Sequence, residues 1–390
     1  MKIDKKNLQH WLYLFRSSTL ILLTLPLRLL KKKNIVILYG HKFNGNLLAL
    51  YDFIRIQRPE FDVYYLTMDP AYYQQLKQEN VKVLQMGLIS DMTKVARAGA
   101  IITDHGMHTL ILYRYLTSIK FIDVWHGLFY KGFDMQTFKH LHGHDEVWVQ
   151  SETMKWFYIN KFGFSEDQVR VTGYGRADRL FLRDYDRGAI LEKYGLPDRK
   201  TVLLAPTWAQ DDKNRSILPF GASMEEFFDA LEEVGKRNNA AVIFRTHLNT
   251  GDSIKVDRYE HVRVMPSSNY PVAEEFLYIS DILITDWSSI AIDYLALKRP
   301  TLFLDVPAPF SKGFTLGPEH RFGEIVDSLE KLTMSIEKYI NRPEAFLEKY
   351  ENKINNTIKA AYGSTLDGKA RDRYIANLVK LLNIEQAKQI

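Results

Sequence analysis

The hydrophobic pattern of this chain alternates between short runs rich in β-branched residues and longer segments with helical spacing. From residue 34 onward the short runs are apolar along their whole length, which is typical of strands buried on both faces of a parallel sheet. Each run precedes a helical segment, so the order is that of a doubly wound α/β fold. In the first half we predict strands at residues 35–39, 63–66, 81–84, 100–103, 121–124 and 146–149.

The alternation breaks near residues 178–187 and then resumes. Since 390 residues exceed what one compact core usually holds, two domains are expected. The simplest architecture is a pair of similar parallel-sheet halves facing a cleft. Strands of the second half are predicted at residues 201–205, 241–244, 282–285 and 301–304. We divide the chain into residues 1–33, 34–180, 181–365 and 366–390, the last being a helix that is a candidate to pack back on the first half.

The N-terminal segment, residues 1–33, combines an apolar stretch with lysines and arginines on both sides. A signal peptide is not expected, because no small-residue cleavage site follows. The uncharged part, residues 17–27, contains Pro26 and is shorter than the roughly 20 residues of a spanning helix. We therefore predict a helix that lies in the membrane surface, with its basic residues facing lipid headgroups. The alternative is a core helix formed by residues 20–30.

Composition narrows the chemistry without choosing a function. The chain is 46% hydrophobic and 25% charged, as folded proteins are, and its lack of Cys excludes disulfides, thiolate metal sites and Cys nucleophiles. The net charge of +5 suits an anionic membrane surface or a phosphorylated substrate, and we predict no nucleic-acid partner. The sequence contains no metal-binding motif, which leaves open only Mg²⁺ coordinated mostly by substrate phosphates.

Polar side chains follow one predicted strand after another. In open parallel sheets ligands bind beyond the carboxyl ends of the strands, so these residues are the candidates for chemistry. Chance scatter would not be expected to place His, Asp, Arg or hydroxyl groups after six strands. The candidates are, in chain order, Asn44, Asn46, Asp104, His126, Lys131, Thr207, Arg245, His247, Asp286, Ser288 and Ser289.

The segment from residue 282 to residue 297 is the most informative. A strand ends in Thr-Asp, two serines follow at once, and the apolar spacing then predicts a helix. Exposed N–H groups at the start of a helix attract anions, and Ser288 and Ser289 would add two donors, so a phosphate site is predicted. The alternative is that Asp286 or Ser288 merely caps the helix.

Two other strand ends carry side chains suited to phosphate transfer. His126 lies in Trp-His-Gly, where the glycine allows close approach and the aromatic neighbours predict partial burial, so its ring is a candidate base near neutral pH. Arg245 and His247 suit phosphate recognition, because a guanidinium binds two oxygens and an imidazole donates to another. By contrast, His105 is interpreted as an ordinary surface histidine.

Longer motifs narrow the protein class. Neither a Gly-x-Gly-x-x-Gly fingerprint nor a Walker-type loop is present, which argues against dehydrogenases and nucleoside triphosphatases. Five other motifs occur in order: Trp125-His126-Gly127 with Lys131, residues 171–178 around Arg176, residues 204–208, Arg245-Thr246-His247, and Thr285-Asp286-Trp287-Ser288-Ser289. Over roughly residues 34–330 the chain thereby resembles the CDP-glycerol glycerophosphotransferases, the teichoic acid primases and polymerases of bacterial cell envelopes.

The resemblance implies a GT-B-like pair of Rossmann-type domains, the first serving the acceptor and the second binding CDP-glycerol. It implies catalytic roles for His126 and His247. Leu128 and Phe129 stand where the family usually has Thr-Pro, in the part expected to recognise the acceptor. Together with the strand-end pattern, the resemblance implies substrate contacts from Asn44, Asn46, Asp104, Lys131, Arg176, Thr207, Arg245, Asp286, Ser288 and Ser289.

The implied reaction moves glycerol phosphate, or a related polyol phosphate, from CDP-glycerol to a hydroxyl of a lipid-linked saccharide or growing polymer, with release of CMP. The implied place is the cytoplasmic face of the cell membrane. There the chain would act as a peripheral protein that meets an anionic lipid surface and other envelope-biosynthesis enzymes. Two alternatives remain open: a GT-B glycosyltransferase that uses a nucleotide sugar, and a catalytically silent membrane-bound scaffold.

Overall fold

The computed structural model describes residues 8–127, 129–207, 219–246 and 258–384. The chain divides into two compact units, and each contains a parallel sheet. Unit 1 comprises residues 1–126, 135–175 and 369–390, and unit 2 comprises residues 127–134 and 176–368.

Unit 1 is built on a parallel sheet covered by helices. Its described strands are β1 (Ile35–Tyr39), β2 (Asp62–Thr67), β3 (Val83–Gln85), β4 (Ala100–Thr103), β5 (Lys120–Asp123), β6 (Glu146–Val149) and β7 (Val169–Val171). Its described helices are α1 (Leu8–Thr24), α2 (Gly45–Gln57), α3 (Pro70–Gln78), α4 (Ile89–Arg97), α5 (Ile111–Leu116), α6 (Met135–Phe138), α7 (Glu152–Asn160) and the C-terminal α15 (Ala370–Leu382). The strand order across the sheet is β3-β2-β1-β4-β5-β6-β7.

Two apolar layers cover the faces of this sheet, because successive side chains of a strand point to opposite sides. In β1, Val36 and Leu38 belong to one layer, and Ile37 and Tyr39 belong to the other. Helices α2, α3 and α15 supply the first layer, and α1, α4 and α5 supply the second. Burial on both sides explains why the strands are continuously apolar.

Helix α1 packs on α4 with one face and exposes the other. Ile21 and Thr24 are buried, whereas Phe15 and Leu23 are 74% and 64% exposed. A 3₁₀ helix, Leu25–Leu30, continues α1. By length and composition, the stretch Trp11–Leu30 would suffice to cross a membrane. The core-helix interpretation therefore accounts for one face of α1 and leaves the outer face unexplained.

Helix α15 lies beside α2 and completes the core of unit 1. The Tyr374 ring stacks on Trp148 with a centroid separation of 5.0 Å. Its hydroxyl accepts a hydrogen bond from Gly175 N (3.1 Å) and donates one to Gly173 O (3.2 Å). The last described helix of the chain is thus an integral part of the first unit.

Unit 2 repeats the architecture. Its described strands are β8 (Lys200–Leu204), β9 (Ala240–Phe244), β10 (Val262–Val264), β11 (Ile282–Thr285), β12 (Thr301–Leu304) and β13 (Glu324–Val326). Its described helices are α9 (Arg187–Tyr194), α10 (Met224–Arg237), α11 (Ala273–Ile279), α12 (Ile290–Tyr294), α13 (Leu329–Asn341), α14 (Glu344–Ala361) and, apart from its first residue, α8 (Gly175–Phe181). The strand order is β10-β9-β8-β11-β12-β13.

Both sheets have the strand order of a Rossmann-type doubly wound fold, with the reversal of order between the first and the fourth strand. The predicted fold class, two Rossmann-type parallel-sheet domains, is confirmed. The three-residue strands β7, β10 and β13 were not predicted, because such short edge strands carry little periodicity. The units divide at residues 175/176 and 368/369, whereas the sequence suggested 180/181 and 365/366, and residues 127–134 belong to unit 2.

Candidate active site

In unit 1, the site is built where the order of the strands reverses, between β1 and β4. Asp104 follows β4 and is 5% exposed. Its carboxylate lies so close to Gly40, at the end of β1, that a Cβ on Gly40 would be 2.5 Å from Oδ1. The same oxygen accepts a hydrogen bond from His105 Nδ1 at 2.7 Å. Glycine at position 40 therefore makes room for the aspartate that holds His105.

His126 follows β5 on the same edge of the sheet and is exposed. Its Nδ1 lies 3.2 Å from the main-chain oxygen of Asp104. Because a carbonyl oxygen can only accept, Nδ1 is the protonated nitrogen of the neutral ring, and the lone pair is on Nε2. The ring stacks on His105, with centroids 4.3 Å apart and an interplanar angle of 9°. The arrangement fixes the tautomer that a general base requires.

Asn46 holds the loop that leads into His126. Its side-chain amide donates to the main-chain oxygens of Val124 and Trp125, both at 3.1 Å, and the residue is 3% exposed. It therefore holds the backbone just before His126, and the substrate contact we predicted for it remains a prediction. Asn44 stands at the N-cap position of α2 without a side-chain capping bond, so its predicted substrate contact remains a prediction.

A buried polar chain runs behind the same loop. Asp123 Oδ1 accepts from Trp125 N at 2.9 Å, which adds a second restraint before His126. Thr103 Oγ1 lies 2.6 Å from Asp123 Oδ2 and 3.1 Å from His144 Nε2, and its single proton serves one of them at a time. His144 Nδ1 donates to Leu141 O at 2.9 Å, which leaves the Nε2 lone pair as an acceptor. Protonation of Asp123 therefore lets Thr103 donate to His144.

Burial favours the neutral forms of Asp123 and His144, the two ends of this hydrogen-bonded series. Asp123 is 1% exposed, and burial raises its pKa to about 7, although the hydrogen bonds from Thr103 and Trp125 act in the opposite direction. Burial likewise lowers the pKa of His144 to about 4. The two pKa shifts agree with these hydrogen bonds. When Asp123 keeps its proton it can donate to Thr103, and Thr103 can then donate to the neutral His144 ring.

The segment 127–134 packs within unit 2. Main-chain hydrogen bonds join Leu316 N to Phe129 O (2.8 Å) and Gly132 N to Gly313 O (2.8 Å). Lys131 forms an isolated antiparallel bridge with Phe314, so its backbone is fixed. The contact of Lys131 with substrate remains a prediction.

The reversal of strand order in unit 2 lies between β8 and β11, and it repeats the arrangement of unit 1. Asp286 follows β11 and is 1% exposed. Its Oδ1 accepts from Thr207 N (2.8 Å), Thr207 Oγ1 (2.6 Å) and Trp287 N (2.6 Å). These bonds join the loops after the first and fourth strands. Asp286 and Thr207 thus hold each other, and the substrate contacts predicted for them remain predictions.

Ser288 and Ser289 follow directly, and both are partly exposed. Ser288 Oγ accepts from Ile290 N at 3.4 Å, and Ser289 stands at the N-cap of α12 without a side-chain capping bond. The α-helix is only five residues long and continues as a 3₁₀ turn to Leu297, so its dipole is weaker than we expected. An anion here would depend mainly on the two hydroxyl groups.

Arg245 is a buried cation of unit 2. It follows β9, is 6% exposed, and its guanidinium lies over the Phe276 ring at 4.9 Å. Its Nη1 is buried and has no hydrogen-bond partner among the described residues. Burial lowers its pKa to about 10, while Glu274, Tyr194 and Glu275 raise it, so the group stays charged at neutral pH. A buried charged donor without a partner is costly, and an anionic ligand would satisfy it.

Arg176 makes a structural contact within unit 2, and its predicted substrate contact remains a prediction. It is 5% exposed, and its Nε donates to Asp293 Oδ1 at 3.0 Å in a buried ion pair. This pair joins α8 to α12 within unit 2, so the structure assigns Arg176 a structural contact. His247 lies outside the described residues. Among the described residues no cluster of His, Asp or Glu suits a metal ion.

Two contributors to the site were missed in the sequence. His105 was interpreted as a surface residue, yet its ring stacks on His126 and bonds to Asp104. Asp123 lies three residues before His126 and restrains the same turn. The available signal was position: both residues end or follow a strand at the edge where ligands bind.

Comparison with known proteins agrees with this geometry. The two doubly wound units are those of a GT-B-like fold. A family profile described as CDP-glycerol:poly(glycerophosphate) glycerophosphotransferase matches residues 17–380. The chain belongs to this family.

Individual relatives are distant. The teichoic acid ribitol-phosphate polymerase TarK of Staphylococcus aureus is 24% identical over 347 residues, covering 79% of this chain and 62% of TarK. The teichoic acid glycerol-phosphate transferase of the same organism is 26% identical over 265 residues, covering 59% of this chain and 66% of that protein. The chain thus spans less than two thirds of the length of these relatives. The wall teichoic acid polymerase TagF shares the fold, with a TM-score of 0.73, 18% identity and coverage of 96% and 97%.

The raised pKa of Asp123 predicts how stability changes with pH. An unfolded aspartate loses its proton near pH 3.8, while folded Asp123 holds it to about 7, so this group removes stability as pH rises between these values. In Asp123→Asn the amide can donate to Thr103 and its oxygen can accept from Trp125. From about pH 5 to about pH 8 the free energy of unfolding of the variant should therefore gain about 3 kcal/mol relative to the wild type.

Denaturant melts across this pH range measure the effect. Asp145→Asn is the matched control, because Asp145 pairs with Lys120 at 2.9 Å and accepts from Phe121 N. That variant should lose stability and show no gain at high pH. A constant difference between Asp123→Asn and the wild type across the range would contradict the assignment of a protonated Asp123.

Proposed function

We propose that this chain transfers glycerol phosphate, or a related polyol phosphate, from CDP-glycerol to a hydroxyl of a membrane lipid-linked saccharide or growing polymer, releasing CMP. The pathway would be teichoic acid or capsule biosynthesis. Family membership supports the reaction class. The observation that carries the proposal in the structure is the buried Arg245 Nη1. Within residues 219–246 and the other described ranges it has no hydrogen-bond partner, and an anion at the carboxyl edge of the second sheet would supply one.

The donor part of the proposal assigns the diphosphate to unit 2. Arg245 would bind the diphosphate oxygens through an electrostatic attraction that burial strengthens, and Ser288 and Ser289 would donate hydroxyl hydrogen bonds. His247 enters through the family motif. Thr207 and Asp286 would act by holding the loop that carries the serines. Mg²⁺, if bound, would be held mostly by the phosphates of the donor.

The acceptor part assigns the base to His126. The acceptor oxygen attacks the β-phosphorus of CDP-glycerol, and the bond between that phosphorus and the oxygen bridging to the α-phosphate breaks. The electron pair leaves with CMP, and the acceptor proton moves to His126 Nε2. This nitrogen carries the lone pair because Nδ1 donates to the main-chain oxygen of Asp104. Because charge spreads over the phosphoryl oxygens, positioned cations and donors should supply much of the rate enhancement.

The names of the relatives suggest which donors to try. One is called a ribitol-phosphate polymerase and another a glycerol-phosphate transferase, while one TagF structure is of a variant soaked with CDPG. CDP-glycerol is therefore the first probe, and CDP-ribitol is the comparison. A lipid-linked disaccharide is the acceptor of choice for either.

We also propose that unit 1 binds the cytoplasmic face of the membrane through the outer face of α1. Beside Phe15 and Leu23, α5 packs on α1 and leaves Tyr115 76% exposed and Leu116 52% exposed. The exposed Lys31, Lys32 and Lys33 follow the apolar segment. Apolar side chains next to basic ones match an anionic lipid surface.

Loss of the proposed base should separate chemistry from donor binding. His126→Ala should lower the rate of transfer roughly 100- to 10,000-fold, because no positioned group would accept the proton. Its dissociation constant for CDP-glycerol should stay that of the wild type, as calorimetry would show. His142→Ala, in which the lost ring bonds to Phe162 O, is the control for removal of a histidine from unit 1. Turnover of His126→Ala at the wild-type rate would refute the base assignment.

Arg245→Gln should weaken the binding of CDP-glycerol roughly 10- to 100-fold, because it removes a charged hydrogen bond to phosphate. The binding of cytidine, which lacks phosphate, should not change. Arg263→Gln is the matched control, since this arginine is exposed on the neighbouring strand β10. Equal CDP-glycerol affinities of Arg245→Gln and the wild type would remove the proposed diphosphate site.

Membrane association should depend on the outer face of α1. The double variant Phe15→Asp, Leu23→Asp should bind phosphatidylglycerol vesicles at least about tenfold more weakly in sedimentation, because two charges replace apolar side chains that would enter the lipid. Trp156→Asp is the control, since Trp156 is 51% exposed on α7. Undiminished sedimentation of the double variant would exclude this face as the lipid-binding surface.

A further inference from the structure

His105 lies next to His126, but the proposed reaction gives it no role. It lies between an acid and the proposed base: Asp104 Oδ1 accepts from its Nδ1 at 2.7 Å, and its ring stacks on His126 at 4.3 Å with 9° between the planes. The Asp104 main chain also accepts from His126 Nδ1. One residue, Asp104, thus orients both rings.

We propose that His105 is a positioning residue for transfer: as a cation held by Asp104, it stacks on His126 and keeps the His126 ring neutral, with its Nε2 lone pair available. The inference rests on the proposed function, in which His126 is the base. Its physical basis is repulsion, because a proton on His126 would place a second positive charge against the first at van der Waals distance.

Charges around the pair favour His105 as the one that carries the proton. Burial acts against the charged form of His105, but the charge of Asp104 and its hydrogen bond raise the pKa of His105. His41, His108 and His140 also face it, and burial lowers the pKa of each. Lys42, after β1, lies over the Tyr72 ring at 4.4 Å and acts on His41. His105 is therefore charged at a pH where these three histidines are neutral.

The location of Asp104 makes the arrangement specific. Its carboxylate lies against Gly40, where a Cβ would be 2.5 Å from Oδ1, so the acid cannot be crowded by a side chain from β1. The side chain of His105 is 39% exposed, so it is held by the Asp104 bond and the stacked rings rather than by deep burial. Its replacement should therefore leave the fold intact.

The test is a titration of His126 that does not depend on turnover. In protein labelled with ¹³C at histidine Cε1, NMR follows the His126 signal with pH, and its absence in His126→Gln assigns it. We compare the wild type with His105→Asn, which lacks ring and charge, and with His105→Phe, which keeps a ring that can stack but lacks charge. The pKa of His126 should rise by roughly one unit in both variants.

The control variant is His142→Phe, in which a histidine of the same unit that packs on Phe164 is changed to the same residue. It should leave the His126 titration unchanged. Thermal melts establish that each variant is folded. If His126 in His105→Phe titrates as in the wild type, the charge of His105 has no such role and the inference is overturned.

Kinetics connect the titration to transfer. With CDP-glycerol and a lipid-linked disaccharide, the acidic limb of kcat/KM should move to higher pH by the same shift in His105→Phe, while the affinity for CDP-glycerol stays constant. An altered His126 titration with an unmoved acidic limb would show that His126 is not the base and would overturn the inference, whereas absence of any transfer by the wild type would defeat the proposed function. An unchanged His126 titration together with loss of transfer in His126→Ala would defeat only the inference about His105.

Discussion

The site depends on one repeated constraint, a buried aspartate placed where the strand order of a sheet reverses. In both units the fourth strand of the sheet order ends in Thr-Asp, and the aspartate reaches the loop after the first strand. Asp104 lies against Gly40, while Asp286 binds the backbone and hydroxyl of Thr207. A buried carboxylate is tolerated only when it is well hydrogen-bonded. Asp286 thereby fixes the backbone of Thr207 and Trp287, just before the two serines. Asp104 holds the His105 ring through its carboxylate and the His126 ring through its main-chain oxygen.

Much of the fold could be predicted because the strands are buried on both faces. Continuous apolar runs located β1, β4 and β11 at their observed residues, and their alternation with helices gave the doubly wound class. Candidate site residues followed from topology, since the carboxyl ends of parallel strands form one edge of a sheet. The Gly-rich turn after β1 and the Thr-Asp after β4 belong to one crevice for this reason.

The division of labour among these residues could not be predicted. Asn46, Asp286 and Arg176 have the polarity of ligand-binding residues, but the structure uses them to satisfy two carbonyl oxygens, three donors and a buried carboxylate. The sequence shows that a side chain can form hydrogen bonds, but it does not show with which partners. Arg245 differs because its Nη1 has no partner in the part of the chain that the structure describes, and that contrast between satisfied and unsatisfied groups appears only in three dimensions.

The proposed reaction is thus a phosphoryl transfer that breaks the bond between the β-phosphorus and the oxygen bridging to the α-phosphate. CDP-glycerol labelled with ³²P at the β-phosphate tests this most directly, with a lipid-linked disaccharide as acceptor and separation of nucleotides from lipid. The account predicts that the label enters the lipid product while unlabelled CMP is released in equal amount. Product formation with the label retained in CDP would contradict it, because the enzyme would then transfer glycerol without its phosphate.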